Sequence, residues 1–523
     1  MSNSPDRSIQ PLADVRASVA WRACLALLAA LASWFAITWC FWTGYAGTDD
    51  LFYARYAFLF HRKPINWWEG RLPAILAIRA MFHWFGPNEI AAALPTLIAA
   101  LAGTAAVAWY VRWPQHLNWK TNATVLLAIT FPMDVASRTV PGAVYMAAGL
   151  LIVGSACILK GSSFVRTAGC VCIAAAILTH EVSLFYTAIF LATGLAFDRG
   201  RFLRPLLLSS LVTLIAFGVQ AAYYARQFGD PLLRLHLAAS ESVNASGIYD
   251  PETNLRGLQF LLWPLKTMVF SKVLAFDLLL VFVFGALYWR KLLLDQRILL
   301  TSGFLTWLYL GYGSKVPWAY HPFARMYHFY GPLVLSVTVL LPVCIDHWSR
   351  GHARPRRDAI LGIVGIVVVH LACLAAGGKW GQDVRVSKAL LGFASAHPSS
   401  TFLTDVATMN QIYAINGFSL PSNIICENGR AVEQNLLVNK EPPNPAAPHG
   451  VTFPDRAPDG ILLNLDASIS GDQDFRNYLA AHPGRHERIV PARYRLILAA
   501  APAFLKRKEF AIASEGAELI RLR

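Results

Sequence analysis

The stretch "GYAGTDDLFYARYAFLFHRKPINWWEGRLP", Gly44 to Pro73, follows directly on the first long apolar run of the chain, 20–42. It sets two adjacent acids, Asp49 and Asp50, beside what reads as a membrane boundary. A carboxylate close to hydrocarbon is costly, and its presence calls for a reason. One reason is local: both acids are solvated, or they cap the N-terminus of a helix formed by "LFYARYAFLF". The flanking sequence supplies another. "LFYARYAFLF" and "RLPAILAIRAMFHWFG" are amphipathic and too polar to span, as expected of helices lying in the membrane interface. Acids held beside two such helices are placed to meet a lipid-borne substrate.

The rest of the chain agrees with a membrane setting. Of its 523 residues 55% are hydrophobic and 15% charged, where a soluble protein carries about a quarter charged. Phe, Trp and Tyr make up 12%, in keeping with many membrane interfaces. Apolar runs mark eleven candidate spans: 20–42, 89–111, 121–134, 141–159, 167–180, 182–197, 205–225, 273–289, 298–313, 328–345 and 359–377. The fifth and sixth are short and parted only by His180-Glu181, which suggests a pair turning back near one face. Asp277, inside the eighth, is expected to pair with a neighbouring helix.

The formal charge of +15 does not point to nucleic acid, because it sits in short loops between apolar runs. Those loops hold Arg112 and Lys120; Lys160 and Arg166; Arg199, Arg201 and Arg204; Arg290, Lys291 and Arg297; and Arg350, Arg354, Arg356 and Arg357. By the positive-inside rule they are cytoplasmic. The N-terminus is then inside, the opening stretch outside, and the C-terminus periplasmic or extracellular. From about 378 the composition changes. "SSTFLTDVATMNQIYAINGF" reads as strand, turn and helix, "SNIICEN", "GILLNLD" and "RYRLILAA" as strands, and "DQDFRNYLAAH" as a helix. The expected organisation is a transmembrane module, 1–377, followed by a small extracytoplasmic α/β domain, 378–523. Cys426 is the only cysteine in that second part, which rules out an internal disulfide there.

The arrangement "TDDLFYARYA…HRKP…WW…RLP…FHWFGPNEIAAALPTLIAALAG" resembles the start of the GT-C membrane glycosyltransferases, most of all the protein O-mannosyltransferases and lipid A aminoarabinose transferases. The matching elements are Asp49-Asp50, Tyr53-Ala-Arg55-Tyr56-Ala57 and Phe85-Gly86-Pro87-Asn88-Glu89. The resemblance is strongest over about 45–105. It implies inverting transfer of a sugar from a polyprenyl monophosphate donor to an acceptor hydroxyl, at the outer face of a bacterial-type inner membrane. Asp49 would be the general base, with Asp50 beside it or acting in its place.

The leaving phosphate needs cations or donors. "YGSKVPWAYHPFARMYHFYGP" offers Arg325, Tyr327, Lys315 and His321, which read equally as an interfacial belt of aromatics and snorkelling cations. Arg62, Lys63 and Arg71 in the first loop are rivals. For the sugar or acceptor the candidates are Tyr53, Asp134, Arg138, His180 and Glu181. Relatives carry an Arg followed by an Asp in the second outer loop. Arg138 fits, but Pro141-Gly142 stands where the Asp would be, and Asp134 precedes the Arg instead.

No run of residues has full metal-site spacing, so no cofactor is expected to be required; a divalent metal held by Glu181 with Asp49 is the less favoured alternative. The expected partners are the lipid-linked sugar, membrane lipids and an acceptor that the sequence leaves open among lipid A, another glycolipid, a polysaccharide or a protein. A lipid-linked-sugar flippase or transporter is the rival class, though the first-loop pattern has no second copy. A membrane-anchored assembly protein would leave Asp49 and Asp50 unexplained.

Overall fold

The computed structural model describes residues 12–45, 49–60, 70–237, 258–271, 274–312, 331–375, 384–404, 406–419, 421–426, 459–464, 484–489 and 517–521. After α1 (Leu12–Cys40) come two short helices, α2 (Asp49–Phe58) and α3 (Leu72–Phe85). The bundle continues with α4 (Glu89–Tyr110), α5 (Trp119–Thr130), α6 (Pro132–Ser137), α7 (Ala143–Lys160), α8 (Ser163–Thr179), α9 (Ser183–Phe197) and α10 (Arg199–Phe228). It closes with α11 (Leu258–Phe270), α12 (Asp277–Leu287), α13 (Leu294–Tyr312), α14 (Val334–Ser349) and α15 (Pro355–Ala375). Every one of the eleven apolar segments is thus occupied by helix. Among the described residues six helices are long and apolar enough to cross a membrane: Trp21–Cys40, Glu89–Tyr110, Ala143–Lys160, Arg199–Phe228, Gly331–Ser349 and Pro355–Leu374. The protein is an integral membrane protein.

Local chemistry sets the helix ends. Asn88 starts α4 by accepting from the Ala91 amide at 2.9 Å, and Asn118 and Thr121 form a capping box at α5. Gly229 ends α10 in the left-handed conformation. The third apolar segment departs from expectation. Its helix stops at Thr130 because Pro132 cannot continue it, and a separate turn, α6, begins at that proline.

Small residues bring the central helices together. A side chain at Gly149 of α7 would collide with the Ala99 backbone of α4, and Gly154 and Gly169 face each other across α7 and α8. The outward faces are apolar, as lipid requires: Leu207, Leu211, Leu214 and Val219 on α10, and Leu361, Val364 and Val368 on α15, are exposed. Asp277 does pair across helices: its Oδ2 lies 2.6 Å from His370 Nε2 on α15, and His370 Nδ1 lies 3.0 Å from Thr130 Oγ1 on α5.

Beyond the bundle lie α16 (Val384–Ala396), β1 (Phe402–Thr404), α17 (Val406–Ile415), β2 (Ile424–Cys426), β3 (Gly460–Asn464), β4 (Arg485–Arg488) and β5 (Ala517–Arg521). The sheet order is β2-β1-β3-β5-β4. β1 runs parallel to β2 and β3, while β5 is antiparallel to β3 and β4. Helix α17 crosses between parallel β1 and β2, as a parallel pair demands. The strand–turn–helix reading of 399–418 and the strands at 424–426 and 460–464 correspond to these elements. "RYRLILAA" and "DQDFRNYLAAH" lie outside the described residues.

This C-terminal unit packs on the two short helices. Leu390, Phe402, Met409, Ile412, Tyr413 and Phe418 share one buried cluster with Tyr53, Ala54, Ala57, Ile75 and Ile78. Phe418, held at a positive φ of 61°, stacks on Phe58 of α2 with ring centroids 4.9 Å apart. Helices α2 and α3 are therefore enclosed between the bundle and the C-terminal unit.

Candidate active site

At the end of the bundle where α8 gives way to α9, the chain turns through His180, Glu181 and Val182. Glu181 is the focus of a charged cluster. Arg71, at the start of α3, donates from Nε to Glu181 Oε2 at 3.2 Å and from Nη2 to Oε1, a bidentate pair. Its Nη1 donates to the Tyr53 hydroxyl of α2. From beyond α10, Arg234 donates from Nη2 to Glu181 Oε2 at 3.0 Å and from Nη1 to the Leu178 carbonyl at 2.7 Å. Gln220 and Tyr224 of α10 complete the frame. Both donate to the Gly70 carbonyl, at 3.2 and 2.5 Å, which fixes the backbone that carries Arg71.

Two guanidiniums on one carboxylate leave a surplus of positive charge. Burial alone would raise the Glu181 carboxyl, but Arg71, His180 and Arg234 together hold it well below the usual carboxylate range. Burial likewise opposes the charge on Arg71, yet Glu181 and Tyr53 raise its pKa above the ordinary value. Both groups are ionised at any physiological pH. The buried His180 packs its Nδ1 3.3 Å from the Val182 amide. It lines a small apolar cleft with Val144, Ala148, Tyr186, Tyr309 and Pro332.

The acid pair opens α2. Asp49 is the first residue of that helix, and Asp50 is buried. Positions 49 and 50 precede Tyr53 by four and three residues, so the acid pair stands one helical turn before the residue that meets Arg71. The approach to the pair is held from two sides. The Thr43 amide donates to Thr139 Oγ1 at 3.0 Å, and the Thr43 hydroxyl to the Ala136 carbonyl at 3.1 Å. Trp42 Nε1 donates to Glu89 Oε1 at 3.0 Å. Tyr45 is buried, and its hydroxyl has no hydrogen-bond partner among the described residues. Burial, with Glu89 and Asp50 nearby, raises its pKa well above the ordinary value, so it stays a neutral phenol.

Asp134 and Arg138 form a second feature. They pair at 2.5 Å across one turn of α6. Arg138 is fully buried, donates to Thr38 Oγ1 and the Ile129 carbonyl, and lies over the Trp34 ring. Its work is to pin α6 to α1 and α5. Asp134 keeps the more open position, on a small cleft that also meets Thr96, Tyr145 and Gly331 and shares Ala148 with the first.

The structure thus gathers Tyr53, Arg71, His180 and Glu181 into one cluster and sets Asp134 with Arg138 in an adjoining one. Arg62, Lys63, Lys315, His321, Arg325 and Tyr327 lie outside the described residues. Arg234 was not among the residues singled out from sequence. The available signal was its place in an expected outer loop, where cations are not needed for orientation.

The architecture is a helical membrane bundle with two short helices after its first apolar helix and an α/β unit after its last. In fold the chain is similar to ArnT from Cupriavidus metallidurans. The crystal structure of ArnT in the apo state aligns with 97% of this chain and 98% of its own, at a TM-score of 0.53 and 14% identity. The structure of ArnT bound to undecaprenyl phosphate covers 96% and 98%, with a TM-score of 0.47 and 13% identity. No protein-family model matches the chain, and neither does any curated protein. The likeness is one of fold.

Proposed function

We propose that this protein is an inverting membrane glycosyltransferase. It moves a sugar from a polyprenyl monophosphate donor to an acceptor hydroxyl at the outer face of an inner (plasma) membrane. The observation that carries this reading is the juxtaposition at α2. One turn of helix separates the acid pair from Tyr53, which is bonded to a buried arginine with a second arginine behind it. Inverting transfer needs a carboxylate to take the acceptor proton and cations to meet the departing phosphate. The first-loop resemblance and the shared fold with ArnT support the same reaction class.

In this mechanism Asp49 is the base and Asp50 supports it or takes its place. The acceptor oxygen attacks the anomeric carbon from the face opposite the phosphate, and its proton passes to the carboxylate. The bond to the phosphate oxygen breaks, and the polyprenyl phosphate leaves toward Arg71 and Arg234, joined by Lys63, Lys315, His321, Arg325 and Tyr327. Tyr53, His180, Glu181, Asp134 and Arg138 frame the sugar and acceptor side. No step needs a metal, and chelator is expected to leave turnover unchanged. Residues 1–377 form the transmembrane module and 378–523 an extracytoplasmic domain. The acceptor class covers lipid A, other glycolipids, polysaccharide and protein.

The test is release of polyprenyl phosphate by the purified protein, given polyprenyl-phosphate sugars and acceptor lipids. Asp49→Asn, Asp50→Asn and the double variant are compared with wild type. The double variant is expected to lose roughly 10²–10⁴ in rate, the usual worth of a general base. Full release by all three variants would sink the mechanism. Movement of the lipid-linked sugar across a vesicle with no release of polyprenyl phosphate would establish the transporter instead.

A further inference from the structure

Three parts of the molecule meet at the carboxylate of Glu89, in the first turn of α4. Oε1 accepts from the Trp42 indole at 3.0 Å, and Oε2 is paired with Lys388 Nζ of α16. The backbone of Gly44 presses against the same carboxylate. A side chain there would collide with both Glu89 and the Trp42 indole nitrogen, and φ is +65°, which only glycine adopts readily. The Glu89 side chain is only 11% exposed. An acid in a first helical turn is favourable by itself, but that does not call for either Trp42 or Lys388. The segment they fix, 42–44, ends five residues before Asp49.

We propose that Glu89 is a positioning residue for the acid pair and that Lys388 sets it. The C-terminal unit would then govern turnover through one ionic latch. This rests on the reading that Asp49 and Asp50 carry the reaction. The apolar packing that seats α16 is separate from the latch: Leu390 and Ala394 are buried in the cluster shared with α2 and α3. Removing only the charge of Lys388 therefore leaves the docking of α16 in place and frees one oxygen of Glu89. Its carboxylate can then turn, and Trp42 and Gly44 turn with it.

The experiment compares Lys388→Met, Lys388→Arg, Glu89→Gln and the Glu89→Gln/Lys388→Met double variant by polyprenyl phosphate release, with melting temperature measured alongside. Lys388→Met is expected to lower kcat on the order of tenfold with KM for donor within about twofold, because small displacements of a reacting group are costly. Lys388→Arg recovers most of the loss, and the double variant is no slower than the slower single one, since both act through the same carboxylate. Wild-type kcat in Lys388→Met overturns the proposal. So do additive losses, or an equal fall in Lys388→Arg together with a lowered melting temperature. If wild type releases no polyprenyl phosphate at all, the functional reading falls separately. Hydrogen exchange then decides the latch. Faster exchange of the Thr43 and Gly44 amides in Lys388→Met, with α5 unchanged, supports it, and unchanged exchange overturns it.

Discussion

At one end of the bundle Glu181 takes two cations, Arg71 and Arg234; at the other, Asp295 takes Arg201 and Lys160. The inventories match, but the exposures are reversed. Around Glu181 the cations are the hidden members: the side chains of Arg71 and Arg234 are 3% and 10% exposed and that of Glu181 36%. Around Asp295 the acid is hidden at 11%, and Lys160 reaches out at 36%. Asp346, with Lys120 and Arg350, repeats the second pattern. Cations that reach outward meet water and headgroups, and they serve orientation. Cations turned inward under a half-buried acid are costly to desolvate, and an anion arriving on the open side would offset that cost. The first arrangement suits the proposed site and the second an anchor.

The largest effect that tests this contrast comes from Arg71→Ala. It removes the bidentate partner of Glu181 and the donor to Tyr53, and polyprenyl phosphate release should fall by about 10²–10³, the usual worth of one donor to developing charge. Asp346→Asn at the far end should change release by less than about threefold, since its partners Lys120 and Arg350 reach into solvent. Equal losses from the two would erase the distinction between site and anchor. Arg71→Lys sharpens it: lysine keeps the charge but loses the planar fork, so recovery should be partial, with release still about tenfold below wild type.

Glu181→Gln comes next. It removes the negative charge that the two arginines share, so inorganic phosphate should inhibit release more strongly, by about tenfold. Asp295→Asn should leave that inhibition unchanged. The pH dependence follows from the sign of the shift. The Glu181 carboxyl is held well below its unfolded value, so its contribution to stability is present above about pH 4.3 and is lost only as the pH falls through the depressed value. It does not titrate near neutrality. Any acid limb of the rate profile between pH 5 and 7 should survive in Glu181→Gln, and its disappearance would assign that limb to Glu181 in place of the acid pair.

The contrast between the two ends was only half legible in the sequence. Basic loops and apolar runs gave away the helices and the anchoring end, because both signals are local in the chain. Asp49-Asp50, with Tyr53 one turn later, was legible for the same reason: helical spacing is a short-range rule. The break at Pro132 was visible as a residue, but the apolar run continues through it and concealed the new helix α6. Arg234 was not legible, because it meets Glu181 across 53 residues that include all of α10. Lys388 is more distant still from Glu89, and only the docking of α16 on the first-loop helices brings the two together. Hydrophobic periodicity says that a helix has a buried face, but not which distant charge will be waiting there.

The smallest effect tests the anchor on its own terms. Lys160 pairs with Asp295 at 2.9 Å and lies 5.1 Å from the Tyr110 ring, so Lys160→Met removes an ion pair and a cation–π contact together. Asp295 nevertheless keeps Arg201 at 2.6 Å, and no buried charge is left unpartnered. Each lost contact is worth at most about 1 kcal/mol at an exposed site. Stability in detergent should therefore fall by no more than about 1–2 kcal/mol, and release of polyprenyl phosphate should stay within about twofold of wild type. Arg201→Met, which takes the half-buried partner away from the same acid, should cost more stability with as little change in release. If either substitution lowered release as far as Arg71→Ala does, the Asp295 end would be coupled to the chemistry, and the inverted exposures would no longer separate the two roles.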